Sequence, residues 1–428
     1  MDIQQIHELF LQCHSVSIDT RKIQPKCLFV AIKGDRFDAN TFAQEALDKG
    51  ASYVIIDNPS FFIDERTILV DDSLTALQAL AKFHRAFLKL PIIAITGSNG
   101  KTTTKELIQV VLSKKFRTIA TIGNLNNHIG VPLTLLSFNE KTEIGIVEMG
   151  ANHQKEIEFL CEIALPDYGY ITNFGKAHLE GFGGVEGVIK GKSEMYVYLS
   201  KNDKKVFVNL DDPIQVDKTR QMNTICFGVN KPEAVTNINT VSADPFVEID
   251  FSNITIHSHL IGLYNANNIN AAISIGNYFG VGIESIKEAI ENYIPENNRS
   301  QLVHKNSNEI ILDAYNANPS SMAVAIANFI QLDKKGKVVI LGDMFELGHE
   351  SMAEHKGVVD LLGNEKNIEC YFIGNDFFKN KSDQQHFQFY ATFDEFATIV
   401  LKQQHFQNKM ILIKGSRGMA LERVLELL

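Results

Sequence analysis

The stretch Thr96-Gly97-Ser98-Asn99-Gly100-Lys101-Thr102-Thr103-Thr104 carries the residue types that hold a nucleoside triphosphate. Glycines let backbone amides close around phosphate oxygens, and a helix start adds partial positive charge. Lys101 can reach the β- and γ-phosphates, and the Thr102 hydroxyl can ligate Mg²⁺. The strict P-loop pattern asks for glycine five residues before Gly100. Ile95 stands there, so the loop is a shortened variant. Residues 91–97, PIIAITG, read as a buried parallel strand and residues 101–114 as a helix, the context such a loop requires.

Two further positions could do related chemistry. Glu148 ends the strand-like run TEIGIVE (142–148), on the edge where α/β sheets bind ligands. A carboxylate there suits a hard cation beside phosphates, although a strand end often carries an exposed glutamate. His178 follows another strand-like run, DYGYITN (167–173), in a loop with Gly175, Gly181, Gly183 and Gly184. Such a loop permits close backbone approach. Lys192 and Lys190, read bare, are solvated charges near a helix start, and Asn265 and Asn268 could serve as simple helix caps.

The elements that must position these residues alternate strand and helix, which predicts an α/β protein of three domains. Residues 1–89 form a small α/β unit with strands at 26–32 and 52–57, a helix at 40–49 and another from Ser73, its N-cap, to about Leu88. Residues 90–296 form a P-loop ATPase-like domain with a mostly parallel sheet, a further strand at 204–210, a β-rich insertion at 232–260 and closing helices at 265–278 and 283–292. Residues 297–428 repeat strand and helix, with strands at 309–315, 337–343, 368–374 and 409–415, a Rossmann-like pattern. No G-x-G-x-x-G follows the first of these, so nicotinamide or flavin binding is not supported.

Composition narrows the class. The chain is 428 residues long, 45% hydrophobic and 21% charged, which excludes wholesale disorder. Its net charge of -10 does not favour a nucleic-acid partner. Cys13, Cys27, Cys161, Cys226 and Cys370 are scattered and odd in number, as in reduced cytosolic proteins. No run approaches the 18 or so apolar residues of a membrane span, and no basic start precedes an apolar run at the N-terminus, so a cytoplasmic protein is expected.

The loop at 96–102 resembles the T-G-x-N-G-K-T motif of the Mur ligases, and the resemblance extends over nearly the whole chain. It implies that Gly97, Ser98, Asn99, Gly100, Lys101, Thr102 and Thr103 bind ATP. It implies two Mg²⁺ ions, with Thr102, Glu148 and His178 among the ligands. It also implies a carbamylated lysine in the helix that follows. Lys192 is preferred to Lys190 because Glu194-Met195-Tyr196 fits the family spacing. A neutral lysine amine adds to CO₂ and becomes an anion that can sit beside Mg²⁺. Since a free lysine has a pKa near ~10.4, burial or nearby cations must lower it. The family pattern G-x-H-N-x-x-N places Asn268 by adenine and metal, with Tyr264 here replacing the histidine. Arg299 and Asp313 match positions that contact ATP phosphate and ribose, in keeping with guanidinium and carboxylate chemistry.

Within the family, the stretches 313–322, 341–348 and 414–419 are most like the branch that adds D-alanyl-D-alanine, and the D-N-P-R signature of the diaminopimelate-adding branch is absent. The resemblance implies an amide ligase that phosphorylates the carboxylate of UDP-N-acetylmuramoyl-tripeptide with ATP. The amine of D-alanyl-D-alanine then attacks the acyl phosphate. Thr20 and Arg21, with residues 28–40, fall in its UDP-binding domain, and Asn126 and Asn127 in the region facing the sugar-peptide. Asn316, Asn318, Lys414 and Ser416 fall on the substrate side, where the Lys414-Gly415-Ser416 turn would make a second anion site. Lys101, His178 and Lys192 are the expected catalytic groups; Asp343, Glu346 and His355 are candidates for the base that accepts the amine proton. A monomer is expected. Another ligase of the superfamily, such as a folylpolyglutamate synthetase, or a nucleotide-binding scaffold without chemistry would share the loop but not the C-terminal stretches or the second-metal residues.

Overall fold

Short apolar strands alternating with amphipathic helices bury both sheet faces only if helices cover them. The computed structural model, which describes residues 1–34, 37–402 and 406–428, contains three such layered sheets in chain order. Asp35 and Arg36, within the 28–40 stretch, lie outside the described residues.

The first sheet is parallel, in the order Ser15–Ser17, Cys27–Val30, Tyr53–Ile56, Thr67–Leu69. Its outer pair was not anticipated, being only three residues long each. Along Cys27–Val30 successive side chains enter different cores, Leu28 and Val30 on one face, Cys27 and Phe29 on the other. The helix Ser73–Leu88 is capped by Asp72, whose carboxylate accepts from the Thr75 amide, rather than by Ser73 as expected. Asp72 holds the extended backbone a cap requires, whereas Ser73 is already in the helix.

That helix ties the first unit to the second. Buried Arg85 donates to the carbonyls of Ala164 and Leu165 and, at 2.7 Å, to the Asp167 carboxylate. Nearby, His84 Nε2 lies 2.9 Å from the Phe138 carbonyl and His84 Nδ1 lies 3.0 Å from His7 Nε2. A carbonyl only accepts, so His84 donates from Nε2, and a neutral His84 then accepts at Nδ1 from His7 Nε2. Burial lowers the pKa of both rings; for His7 the charge of His84 adds to this and Glu8 opposes it. The unfolded chain therefore binds protons below pH ~6.5 that the folded chain refuses, so stability falls as pH drops through that value and is held above it. Chemical denaturation at pH 7 and pH 5 should show this loss. His84→Gln should flatten it, and an unchanged pH slope in that variant would remove the pair as its source.

The second sheet has seven strands, all parallel, in the order Thr236–Ile238, Asn223–Val229, Lys205–Asn209, Tyr168–Ile171, Ile92–Thr96, Ile144–Glu148, Thr118–Ala120. Its order sets Ile92–Thr96 between the strands that lead to the His178 loop and to Glu148. Because all run the same way, their C-terminal ends open on one edge. The expected β-rich insertion is an antiparallel sheet of Thr240–Ala243, Phe246–Phe251 and Ile254–Ile261.

The third sheet runs Gln301–Lys305, Asn308–Asp313, Met410–Lys414, Lys337–Gly342, Glu369–Ile373, Phe387–Tyr390. Only the first of these is antiparallel to its neighbour. Gln301–Lys305 and Phe387–Tyr390 add to the four strands expected. Among the described residues no helix is long and apolar enough to cross a membrane.

Candidate active site

The strand Ile92–Thr96 delivers the chain into the loop, and the helix Lys101–Leu112 leaves it. Gly97 and Gly100 both have positive φ, 141° and 78°. A Cβ at Gly97 would strike Thr172, and one at Gly100 would strike the Asn268 side chain, so the loop tolerates only glycine at both places. Gly100 caps the helix with no side-chain bond, which leaves amides at the helix start directed into the loop. Lys101 Nζ donates to the carbonyls of Gly97 and Ser98 at 2.7 and 3.2 Å. Burial lowers its pKa, with Glu148 opposing and Arg299 reinforcing.

The loop borders a cleft of about 1360 Å³ that all three units line. From the second unit come Ser98, Asn99, Gly100, Lys101, Thr102, Thr103, Asn126, Asn127, Glu148, His178 and Asn268. The third unit contributes Arg299, Asp313, Asn316, Asn318 and Lys414, and the first Leu74 and Gln78. Most of the residues singled out in the sequence are thus brought to one place.

Glu148 is 2% exposed, with one carboxylate oxygen accepting from Asn126 Nδ2 at 2.8 Å. The other oxygen has no hydrogen-bond partner and faces Lys105 Nζ at 3.9 Å. A buried carboxylate with a free oxygen fits a cation. His178 Nδ1 contacts the Glu346 carboxylate from the third unit, and the histidine holds that carboxyl below its usual range. Among the described residues no three His, Cys, Asp or Glu side chains already converge as a metal set, so a metal here needs further oxygen ligands.

Lys192 lies in the middle of the helix Val185–Lys201, not near its start, and is 1% exposed. Its Nζ donates to the Ala151 carbonyl at 3.2 Å and sits 5.1 Å from the centre of the Phe182 ring. Burial drives its pKa well below the ordinary lysine value, helped by the charge of Lys101 and opposed by Glu156 and Glu194. Lys190 is exposed.

At the far side, the Arg299 guanidinium stacks on Tyr315 at 3.6 Å, and its buried Nε has no partner, a donor open to an anion. Asp313 accepts from the Ser300 amide and, at 2.6 Å, from Lys414 Nζ. Lys414 is 1% exposed and also donates to the Asn316 carbonyl. Its charge is therefore paired with Asp313 at the edge of the cleft, and the helical turn after it spans Arg417–Met419. Ser416 accepts from the Phe345 amide and pins that loop.

Other expected residues have structural partners. Asn127 accepts from the amides of Ile129 and Gly130, and Asn316 from that of Ala317. Asn318 caps the helix Pro319–Gln331 and donates to Asn99 at 2.7 Å. Asn265 stands at the N-cap of the helix Ala266–Tyr278 without a side-chain capping bond; its side chain donates to the Ile261 carbonyl and accepts from Asn268. Tyr264 bonds Ser300 at 2.8 Å across the join between the second and third units. Thr20 and Arg21 do not line the cleft; Arg21 is exposed and paired with Asp19. Of the base candidates, Asp343 is buried and accepts from the amides of Asp376 and Phe377, while His355 accepts from the Met344 amide. Both hold turns in place, and only Glu346 is exposed beside the His178 loop. Lys105 and the contacts of Lys176 were not foreseen. Their only local signal is a charge beside a motif, and their partners lie far along the chain.

Three family models match the chain in succession: "Mur ligase family, catalytic domain" over residues 12–85, "Mur ligase middle domain" over 95–276 and "Mur ligase, glutamate ligase domain" over 298–417. The UDP-N-acetylmuramoyl-tripeptide--D-alanyl-D-alanine ligase of Bacillus subtilis (strain 168) is 34% identical over 422 residues, which span 96% of this chain and 92% of that protein. Crystal structure I of MurF from Acinetobacter baumannii superposes with a TM-score of 0.86 at 27% identity, covering 99% of this chain and 97% of that one. MurF ligase from Thermotoga maritima in complex with ADP superposes with a TM-score of 0.83 at 27% identity, covering 98% and 97%. With a P-loop, a buried carboxylate and a three-unit cleft in the same order along the chain, these matches establish that the protein belongs to the Mur ligase family.

Proposed function

We propose that this chain is an ATP-dependent ligase that joins D-alanyl-D-alanine to UDP-N-acetylmuramoyl-tripeptide through an acyl phosphate. The observation that carries the reading is the cleft itself. It draws a phosphate loop, an under-bonded glutamate and an arginine with a free donor from two units of a chain that a D-alanyl-D-alanine ligase matches over 96% of its length. The corresponding division is 1–89 for the UDP-sugar-peptide, 90–296 for ATP and 297–428 for ATP and the dipeptide, in a monomer.

In this reading the tripeptide carboxylate oxygen attacks the γ-phosphorus of ATP, and ADP leaves. The dipeptide amine then attacks the acyl carbon, an amide forms, phosphate leaves and the amine proton is lost. The chain's part is to position and to neutralise. Loop amides at 97–103 and Lys101 hold the β- and γ-phosphates. Arg299 meets phosphate from the opposite wall, and Asp313 and Asn268 lie on the nucleoside side. Thr102, Glu148, His178 and Lys192 as its carbamate would hold Mg²⁺. Mg²⁺ bound there would offset the negative charge of the transferring phosphoryl group. Thr20 and Arg21 lie on the first unit, apart from the cleft, as a distant UDP end of a long substrate would require. Asn126, Asn127, Asn316 and Asn318 line the path between, while Lys414 and Ser416 act by fixing Asp313 and the 345 loop.

Phosphate release should need ATP, Mg²⁺, UDP-N-acetylmuramoyl-tripeptide and D-alanyl-D-alanine together, and the product mass should exceed that of the tripeptide substrate by one dipeptide less one water. Turnover with a different amine in place of D-alanyl-D-alanine would keep the ligase chemistry and reject the branch. No turnover with any amine would reject catalysis.

A further inference from the structure

The residues that join the third unit to the phosphate loop form a belt, and most of it is uncharged. Asn318 of the third unit donates to Asn99 at 2.7 Å and Ser320 accepts from the Lys176 amide at 2.7 Å, while Ser98 donates to the Gly175 carbonyl within the second unit at 2.7 Å. A Cβ at Gly175 would meet Ser320 and Asn99, so the third unit is seated directly on this loop. Among the described residues two long-range charged contacts lie within the belt, His178 with the Glu346 carboxylate and Lys176 Nζ with Glu354 at 2.6 Å, the latter between residues 178 positions apart with Glu354 on the helix Ser351–Leu362. Glu354 is largely buried, with a side-chain exposure of 18%, while Lys176 remains 47% exposed. Neither side chain lines the cleft. They are therefore not placed to touch substrate, yet they clamp the unit that carries Asn316 and Asn318 onto the His178 loop, which lies beside Asn99 of the phosphate loop.

We propose that Lys176 and Glu354 form an electrostatic latch that positions the third unit over the phosphate loop during turnover. This inference rests on the ligase reading above. An open latch admits water to the acyl phosphate, so the C–O–P linkage is hydrolysed to carboxylate and phosphate and ATP is consumed without amide. The pair positions; it does not take part in bond making. Because it is partly exposed, its contribution to fold stability is small, and its effect shows in coupling rather than in melting temperature.

The test is a charge exchange. Lys176→Glu and Glu354→Lys each place like charges together and should lower amide formation by about tenfold while raising ATP consumed per amide formed, at unchanged melting temperature. The double exchange K176E/E354K should recover most of the rate and the parent ratio. Independent loss in the double variant, as great as the two single losses combined, overturns the latch. So does a parent-like ATP-to-amide ratio in both single variants. If the parent enzyme itself makes no amide, the ligase reading fails. The latch is then judged by small-angle scattering with ADP and Mg²⁺. Greater dimensions in the single variants and recovery in the double support it, and identical dimensions in all four proteins overturn it.

Discussion

Lys101→Ala should lower kcat by about 100-fold or more while leaving the fold intact, because preorganised charge at a transferring phosphoryl group contributes on that order. Lys101 is half-buried at the first position of the helix Lys101–Leu112 and among the described residues its Nζ bonds only loop carbonyls, so its loss opens no apolar core. Its Nζ is tethered over Gly97 and Ser98, at the mouth where the γ-phosphate would lie. The effect should therefore fall on kcat more than on the KM for ATP, since loop amides still bind the ground state. Steady-state kinetics with circular dichroism as the folding control measures this. A variant with near-parent kcat and a raised KM would make Lys101 a binding residue only.

Lys192→Ala should lose activity by about 100-fold or more and regain it by about tenfold or more when acetate or formate is added, since a small carboxylate can replace a missing carbamate in the space the side chain leaves. The geometry makes this specific. Lys192 is buried, its sole hydrogen bond among the described residues is to the Ala151 carbonyl, and the Phe182 ring lies beside it. An ammonium so placed is poorly solvated and, among the described residues, forms no ion pair, which favours the neutral amine against the more distant pull of Glu156 and Glu194. The neutral amine attacks the carbon of CO₂, an N–C bond forms, and a proton departs to solvent. Lys192→Met fills the same space without a carboxylate, so it should be as inactive as the alanine variant and should not be rescued. Large-to-small replacement in a core costs roughly 2–5 kcal/mol, so melting curves must accompany the alanine data. Equal activity of parent and Lys192→Met, or no loss of activity after CO₂ is stripped from the buffer, would remove the carbamate from the mechanism.

These two lysines also illustrate what a sequence can hold. Lys101 is legible because the phosphate loop is local: strand, glycines, lysine and threonine are adjacent in the chain, and their conformations follow from φ requirements and helix starts within nine residues, 96–104. The same holds for the α/β class and for Glu148 at a strand end. Periodicity in apolar residues and the direction of parallel strands fix which end of each strand faces ligand.

What the tertiary structure alone decided is pairing at a distance. Lys192 and Lys190 have the same chemistry and sit two positions apart, but a helix turns by about 100° per residue, so one is buried under Phe182 and the other faces water. Lys414 reads as a free cation beside a glycine turn, until the sheet order sets its strand against Asn308–Asp313 and its ammonium against a carboxylate 101 residues earlier. Asn318 meets Asn99 across 219 residues and Lys176 meets Glu354 across 178. Such contacts arise from which strands neighbour one another and how one unit seats on the next. No local period encodes that order, because it is settled by the burial of whole sheet and helix faces at once.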